Sequence, residues 1–343
     1  MGEPFILRDF EVEEAEEEEN REIIVYSAGE AFDPLPPVEY VVNILIQKYS
    51  TNILYGDPGL QKTYIVMTMG AAITLGDDWA GIGVQEGKVL FIDEESGEHR
   101  FKRRLREVFN GYGYTKKPAN SDNFHFVTGT GINLLKPSGI GTLKQLIRRH
   151  KPDLVILDAL QDVMEGGDEN SSGDITRVFN ALNRISKSLK TAFLVIHHTN
   201  RKGTFRGSSA IMGSVDGMYE LDGNAKSGNL VIRMDKNRDG EVEEIPLKTE
   251  FGYGISGERY FKVSSRSISK PEHNDMESYL LGLYSTGRVL TLKEIEEMTI
   301  ADGKSFGSAK KANQRLQRAG IVSRIDGGGK GSKAQFQLTQ AVK

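Results

Sequence analysis

Cysteine is absent from all 343 residues, which excludes a disulfide framework, thiolate metal sites, a cysteine nucleophile and thiol redox chemistry, and fits a reducing cytoplasm. Long apolar runs are missing too. The longest near-apolar stretch, Tyr64 to Gly76, falls short of the ~18 to 20 residues that span a bilayer, so no membrane partner is expected. The first residues, Met1-Gly2-Glu3-Pro4-Phe5-Ile6, lack the basic segment of a secretion signal, and Ile6 stands where a myristoylation signal requires Ser or Thr. With 38% hydrophobic and 27% charged residues, the chain has the balance of a globular protein. At ~150 residues per domain its length suggests two.

The net charge of -4 conceals an asymmetry. Residues 1–20 carry nine acidic side chains against Arg8 alone, and the run Glu11 to Glu19 is too charged to fold by itself. Residues 1–34 therefore read as an acidic, disordered leader; the rival reading is a mimic of nucleic-acid phosphate that shields a basic surface. Residues 304–343 hold nine Lys or Arg against Asp326, an electrostatic footprint for a polyanion.

After Pro34, Pro36 and Pro37, the spacing predicts a short helix over Val38–Lys48. From Asn52 onward, short apolar runs (Asn52–Tyr55, Lys88–Ile92, Phe124–Val127, Leu154–Leu157, Ala192–Ile196) alternate with helical segments (Lys62–Leu75, His99–Phe109, Gly141–His150, Asp174–Lys190). That alternation implies an α/β core with a mainly parallel sheet. Gly217–Leu221, Asn229–Asp235 and Val242–Thr249 read as added strands at one edge of it. Residues 264–273 are Ser-rich and reach Pro271, as a linker does. Three helices (Met276–Tyr284, Leu292–Met298, Ser308–Ala319) and a hairpin around Asp326–Lys333 then give a small winged-helix pattern over 274–343, leaving 35–263 for the core.

The strongest chemical signal is Gly56-Asp57-Pro58-Gly59-Leu60-Gln61-Lys62-Thr63, followed by Tyr64, between a strand and a helix. Such a loop aims backbone N–H groups and a helix dipole at phosphates, Lys62 reaches the β and γ phosphates, and the Thr63 hydroxyl meets Mg²⁺. These are sites for ATP and Mg²⁺. Gln61 departs from the pattern, which has glycine there; if that position needs a positive φ, glutamine costs roughly 1 kcal/mol. Asp158, ending Leu154-Val155-Ile156-Leu157, supplies a carboxylate for the metal at a strand's C-terminal edge. Asp93-Glu94-Glu95 ends another strand and offers a base to activate water, although spacing does not choose among the three. His197 and His198 end a third strand and can sense the γ phosphate. Arg201 and Lys202, in a polar basic segment, suit the phosphates of single-stranded nucleic acid. Lys236 and Arg238 in Lys236-Asn237-Arg238-Asp239-Gly240 share a face, either as a pair aimed at one anion, such as a neighbouring subunit's γ phosphate, or as a solvated hairpin tip.

Taken together, the loop 56–63, Asp93-Glu94-Glu95, Asp158, His197-His198, Arg206-Gly207-Ser208-Ser209 and Lys236-Asn237-Arg238-Asp239-Gly240 resemble the RecA-type ATPase core of hexameric replicative helicases. The likeness is to the RepA helicases of plasmids, phages and related mobile elements, with the Lys-Asn-Arg stretch also similar to DnaB helicases, and it covers about residues 35–255. It implies a RecA-like P-loop ATPase fold and Glu95 as the catalytic base. It also implies a γ-phosphate sensor at His197 or His198, here His198, and trans-acting cations at Arg206, Lys236 and Arg238. The implied pore loops over 163–173 and 200–207 would grip single-stranded DNA. The resulting expectation is an ATP-dependent DNA helicase forming a homo-oligomeric, hexameric ring, with replisome proteins as further partners. The winged-helix unit, through Lys310, Lys311, Arg315, Lys330 and Lys333, would hold fork or duplex DNA or dock a protein. A filament-forming recombinase or accessory ATPase, and a DNA-binding regulator or loader with weakened ATPase, are the rival readings.

Overall fold

The computed structural model describes residues 25–35, 37–199, 210–238, 240, 243–266, 275–284, 289–302, 304–318, 322–325 and 335–338. The acidic run, Arg201, Lys202, Arg206, Lys330, Lys333 and the side chain of Arg315 lie outside the described residues, as does most of the expected linker.

In chain order the elements are β1 Tyr40–Val42, β2 Ile46–Gln47, β3 Thr51–Gly56, α1 Lys62–Leu75, β4 Val89–Asp93, α2 Glu98–Gly111, β5 Phe124–Thr128 and α3 Pro137–His150. Next come β6 Leu154–Asp158, α4 Ser172–Leu189, β7 Ala192–His198, α5 Ala210–Ser214, β8 Gly217–Asn224, β9 Asn229–Asn237, β10 Glu244–Tyr253 and β11 Arg259–Ser265. The last are α6 Asp275–Tyr284, β12 Leu290–Thr291, α7 Leu292–Ala301, α8 Phe306–Arg318, β13 Val322–Ile325 and β14 Gln335–Leu338. The chain divides into two compact units, the first holding residues 1–222, 233–243 and 250–263, the second 223–232, 244–249 and 264–343.

A nine-stranded sheet, most of it in the first unit, runs in the order β11-β10-β9-β8-β3-β7-β6-β4-β5. Strands β3 to β8 pair in parallel, with Asn52 opposite both Leu194 and Gly217, and Val89 opposite Leu154. This is the α/β, RecA-like P-loop architecture expected from the alternating runs. The central strands are apolar without alternation because helices cover both faces: every residue of β3, β4 and β6 is buried. Helix α4 shows the amphipathic alternative. Ile175, Val178, Phe179, Leu182 and Ile185 repeat at helical spacing and pack into the core with Leu157, Phe193 and Val195. Each such fully buried side chain contributes about 1.5–3 kcal/mol. The Ser171 hydroxyl accepts from the Asp174 N–H to start α4, and Lys190, in the left-handed region, ends it. Helix α1 lacks an apolar stripe because nearly all of it, Ile65 through Thr74, is buried.

Three expectations need correction. Val38–Lys48 is not a helix but the β1–β2 hairpin, with Val42 paired to Ile46 and Ile44 at a φ of 59° in the turn. The apolar pairs Val41-Val42 and Leu45-Ile46 fit a helical repeat, yet here all four are buried from a hairpin rich in β-branched residues. Strand β11 was not anticipated, and it takes Ser264 and Ser265 out of the expected linker. The short helix α5 was also missed.

In the second unit, Leu280, Tyr284, Leu290, Ile295, Ala309, Ala312, Leu316, Val322 and Phe336 form one core. The expected hairpin is β13–β14, and β12 adds a third antiparallel strand, giving the order β12-β14-β13. Thr291 and Glu294 build a reciprocal capping box at the start of α7. Tyr284 donates to Asn313 Oδ1 at 2.8 Å inside this core, which satisfies a hydroxyl that burial alone would strand. Lys310 and Lys311 are exposed on α8.

Candidate nucleotide site

Strand β3 ends at Gly56, and α1 begins at Lys62, so residues 56–63 form the turn between them. Gly56 is required by close packing: a Cβ there would lie 2.4 Å from the Leu221 carbonyl oxygen of the adjacent β8. Gln61 adopts φ 65° and ψ 25°, the left-handed conformation anticipated from the missing glycine, and its Oε1 is buried without a hydrogen-bond partner. Replacing it with glycine removes both costs. Gln61→Gly is expected to stabilise the first unit by about 1 kcal/mol, raising its melting temperature by about 2–4 °C. An unchanged or lower melting temperature would contradict strain at this position.

The Lys62 side chain is buried, and its Nζ donates to the carbonyls of Gly56 (2.8 Å) and Asp57 (3.0 Å). Burial pulls its pKa down to about 8, opposed by the negative charges of Asp158, Glu95 and Asp57. The Thr63 hydroxyl donates to Asp158 Oδ2 at 2.7 Å. Burial pushes Asp158 up to about 7, and the nearby charges of Glu95 and Asp93 add to this, against the Thr63 hydrogen bond and Lys62. Its second oxygen, Oδ1, is buried with no partner. An orphaned carboxylate oxygen beside a hydroxyl is a pair of hard donors that suits Mg²⁺, which takes few protein ligands and fills its shell with phosphate and water. No group of three or more His, Cys, Asp or Glu fit to cage a metal exists among the described residues. That too matches an ion held jointly with a substrate.

The acidic triplet is resolved by its partners. Both oxygens of the buried Asp93 accept the Ser96 N–H at 3.1 Å, and burial raises its pKa. Glu94 accepts from the Thr130 hydroxyl and from the Gly131 N–H at 3.1 Å. Glu95 is exposed, takes part in no hydrogen bond among the described residues, and lies close enough to Lys62 and Asp158 to shift both. Asp93 and Asp158 are register partners on β4 and β6, which explains why the carboxylates gather at one sheet edge. His198 is opposite Gly56 across β3 and β7 and half-buried, whereas His197 is 1% exposed.

Thr199 joins the loop as well, its N–H donating to the Gly56 carbonyl at 3.2 Å and its hydroxyl to Asp57. Sequence reasoning missed this residue, since nothing in its neighbours marks a long-range partner. Tyr64 sits elsewhere: its hydroxyl donates to Glu107, and its ring packs against Phe251 and Phe261 at centroid distances of 5.1 and 4.6 Å. Lys236 and Arg238 are not at the loop. They stand beside Asp216, which is hydrogen-bonded to Thr51 at the start of β3. Five residue steps of β3 put them about 17 Å from Gly56 along the sheet. Lys310 and Lys311 belong to the second unit.

Comparison with known proteins follows the same lines. The chain is 22% identical over 285 residues to the DNA repair protein RadA of Listeria monocytogenes, covering 81% of this chain and 54% of that protein. It is 20% identical over 283 residues to RadA of Streptococcus pneumoniae, covering 80% and 59%. The chain thus spans little more than half the length of these curated relatives. Among solved structures it is similar to a helicase ATPase domain, with a TM-score of 0.44 and 14% identity, covering 61% of this chain and 83% of that one. A family model described as an AAA domain matches residues 15–204, more than half of the sequence and all of the loop, Glu95, Asp158 and the histidine pair. This chain belongs to that AAA domain family.

Proposed function

We propose that the protein is an ATP-driven motor that forms a ring and translocates on single-stranded DNA as a helicase, with 35–263 as motor and 274–343 as a winged-helix unit. The observation that carries this reading is the convergence of Lys62, the Thr63–Asp158 pair and Glu95 on one sheet edge. Lys62 now spends two of its three donors on loop carbonyls, and these are the bonds it would exchange for β and γ phosphate oxygens. Thr63 and Asp158 would hold Mg²⁺, which neutralises charge on the transferred phosphoryl group. Glu95 is the base that orients and deprotonates water, and His198 the γ-phosphate sensor. Lys236 and Arg238, distant from their own loop, would serve the triphosphate of an adjoining copy. Arg201, Lys202 and Arg206 complete the reading as DNA and interface cations. Lys310 and Lys311 offer exposed charge for duplex or fork DNA.

The DNA repair relatives favour a second reading, an accessory or recombinase-type ATPase that assembles as an open filament. One heterologous interface gives a ring or a filament depending on whether the rotation closes, so mass and shape of the ATP-bound assembly separate them. The decisive measurement is ATPase with and without single-stranded DNA. Turnover stimulated by DNA and lost in Lys62→Ala is expected. Nucleotide binding with no turnover at all would overturn the motor in favour of a regulator weakened at Gln61.

A further inference from the structure

Lys236 and Arg238 are both held by one short stretch of their own chain. Lys236 Nζ donates to the carbonyls of Met212 (2.7 Å) and Val215 (2.8 Å). The Arg238 N–H donates to the Asp216 carbonyl at 3.1 Å, and Arg238 Nε lies 3.3 Å from Asp216 Oδ1. The other carboxylate oxygen, Oδ2, accepts the Thr51 N–H at 2.9 Å, and the Asp216 N–H donates back to the Thr51 carbonyl at 2.8 Å. Asp216 is thus a joint between the cation-bearing segment and the first residue of β3, the strand that ends in the phosphate loop. Pairing through Nε uses one of the five guanidinium donors and leaves four on the terminal nitrogens, the edge that grips phosphate. The Arg238 side chain remains 54% exposed.

We propose that Asp216 is a positioning residue, whose carboxylate turns the Arg238 guanidinium outward and fixes it to the foot of β3. The cation offered to an adjoining copy is thereby held in a set geometry relative to the phosphate loop of its own chain. The proposal rests on the reading of Arg238 as trans-acting. A guanidinium released from this contact samples other rotamers, and displacement of about 1 Å at a transition-state contact can cost 10²-fold in rate.

The test is steady-state ATPase of the full chain. Asp216→Asn keeps an acceptor for the Thr51 N–H but removes the charge opposite Arg238. It is expected to lower kcat by about 10- to 100-fold with the KM for ATP unchanged, and Asp216→Glu to recover part of the loss. In an Arg238→Ala background Asp216→Asn should add nothing, because a residue acting through Arg238 has no further effect once Arg238 is gone. Arg238→Lys, which keeps the charge without Nε, provides the same comparison from an exposed position where folding is not at stake. A further fall of kcat when Asp216→Asn is added to either Arg238 variant overturns the positioning role, as does a matched rise in KM. Failure of the trans-acting reading has a different signature: Arg238→Ala alone would then turn over at the parent rate, and the proposal would fall with it.

Discussion

Arg238→Ala is expected to slow ATP turnover by about 10³- to 10⁵-fold while leaving ATP binding unchanged. The reason lies in topology. β9 runs back along β8, which carries Lys236 and Arg238 to the foot of β3, about 17 Å of strand away from the loop at its other end. The phosphate loop of the same chain has its own buried cation in Lys62. A second cation at the far end adds nothing to binding in its own site, but it can neutralise charge that develops on an adjoining copy's phosphoryl group, where electrostatic stabilisation costs no reorganisation. Mixing Arg238→Ala with Glu95→Gln checks this directly. Some sites in mixed assemblies then draw an intact base from one copy and an intact cation from the other, so activity should rise above that of either variant alone. Weakened ATP binding in Arg238→Ala, with no recovery on mixing, would place the arginine's role within its own chain.

Glu95→Gln should lower turnover by about 10²- to 10⁴-fold, the range for losing a general base, with ATP bound as tightly as before. Its two neighbours are already engaged. Asp93 is buried and holds the turn through Ser96, and Glu94 holds the loop through Thr130 and Gly131, whereas Glu95 is exposed beside the Lys62 and Asp158 charges. Glu94→Gln is accordingly expected to leave most of the turnover intact and to lower the melting temperature slightly. A larger kinetic loss in Glu94→Gln than in Glu95→Gln would reverse the assignment.

Local signals carried much of this architecture. Lys62–Leu75 begins and ends in the structure where the sequence places it, because a phosphate-loop turn opens the helix and Gly76, with a φ of 71°, closes it. The buried strands were legible because parallel strands covered on both faces must be apolar throughout. Val38–Lys48 misled because hairpin and helix can bury the same spacing of apolar pairs, and only pairing across the turn decides between them. β11 escaped notice because its burial alternates among polar and charged residues, with only Phe261 and Val263 buried.

By itself the sequence determined the alternation of strands and helices, the phosphate loop with its misfit at Gln61, and the supply of carboxylates at strand ends. These are properties of neighbours in the chain: periodicity, turn chemistry and residue type. Tertiary structure alone decided which of three adjacent acids faces the loop, that Asp158 keeps an orphaned oxygen beside Thr63, and that Lys236 and Arg238 meet Asp216 at the opposite end of the sheet. Each of those depends on strand order and register, which bring together groups separated by as many as 165 residues and which no local pattern encodes.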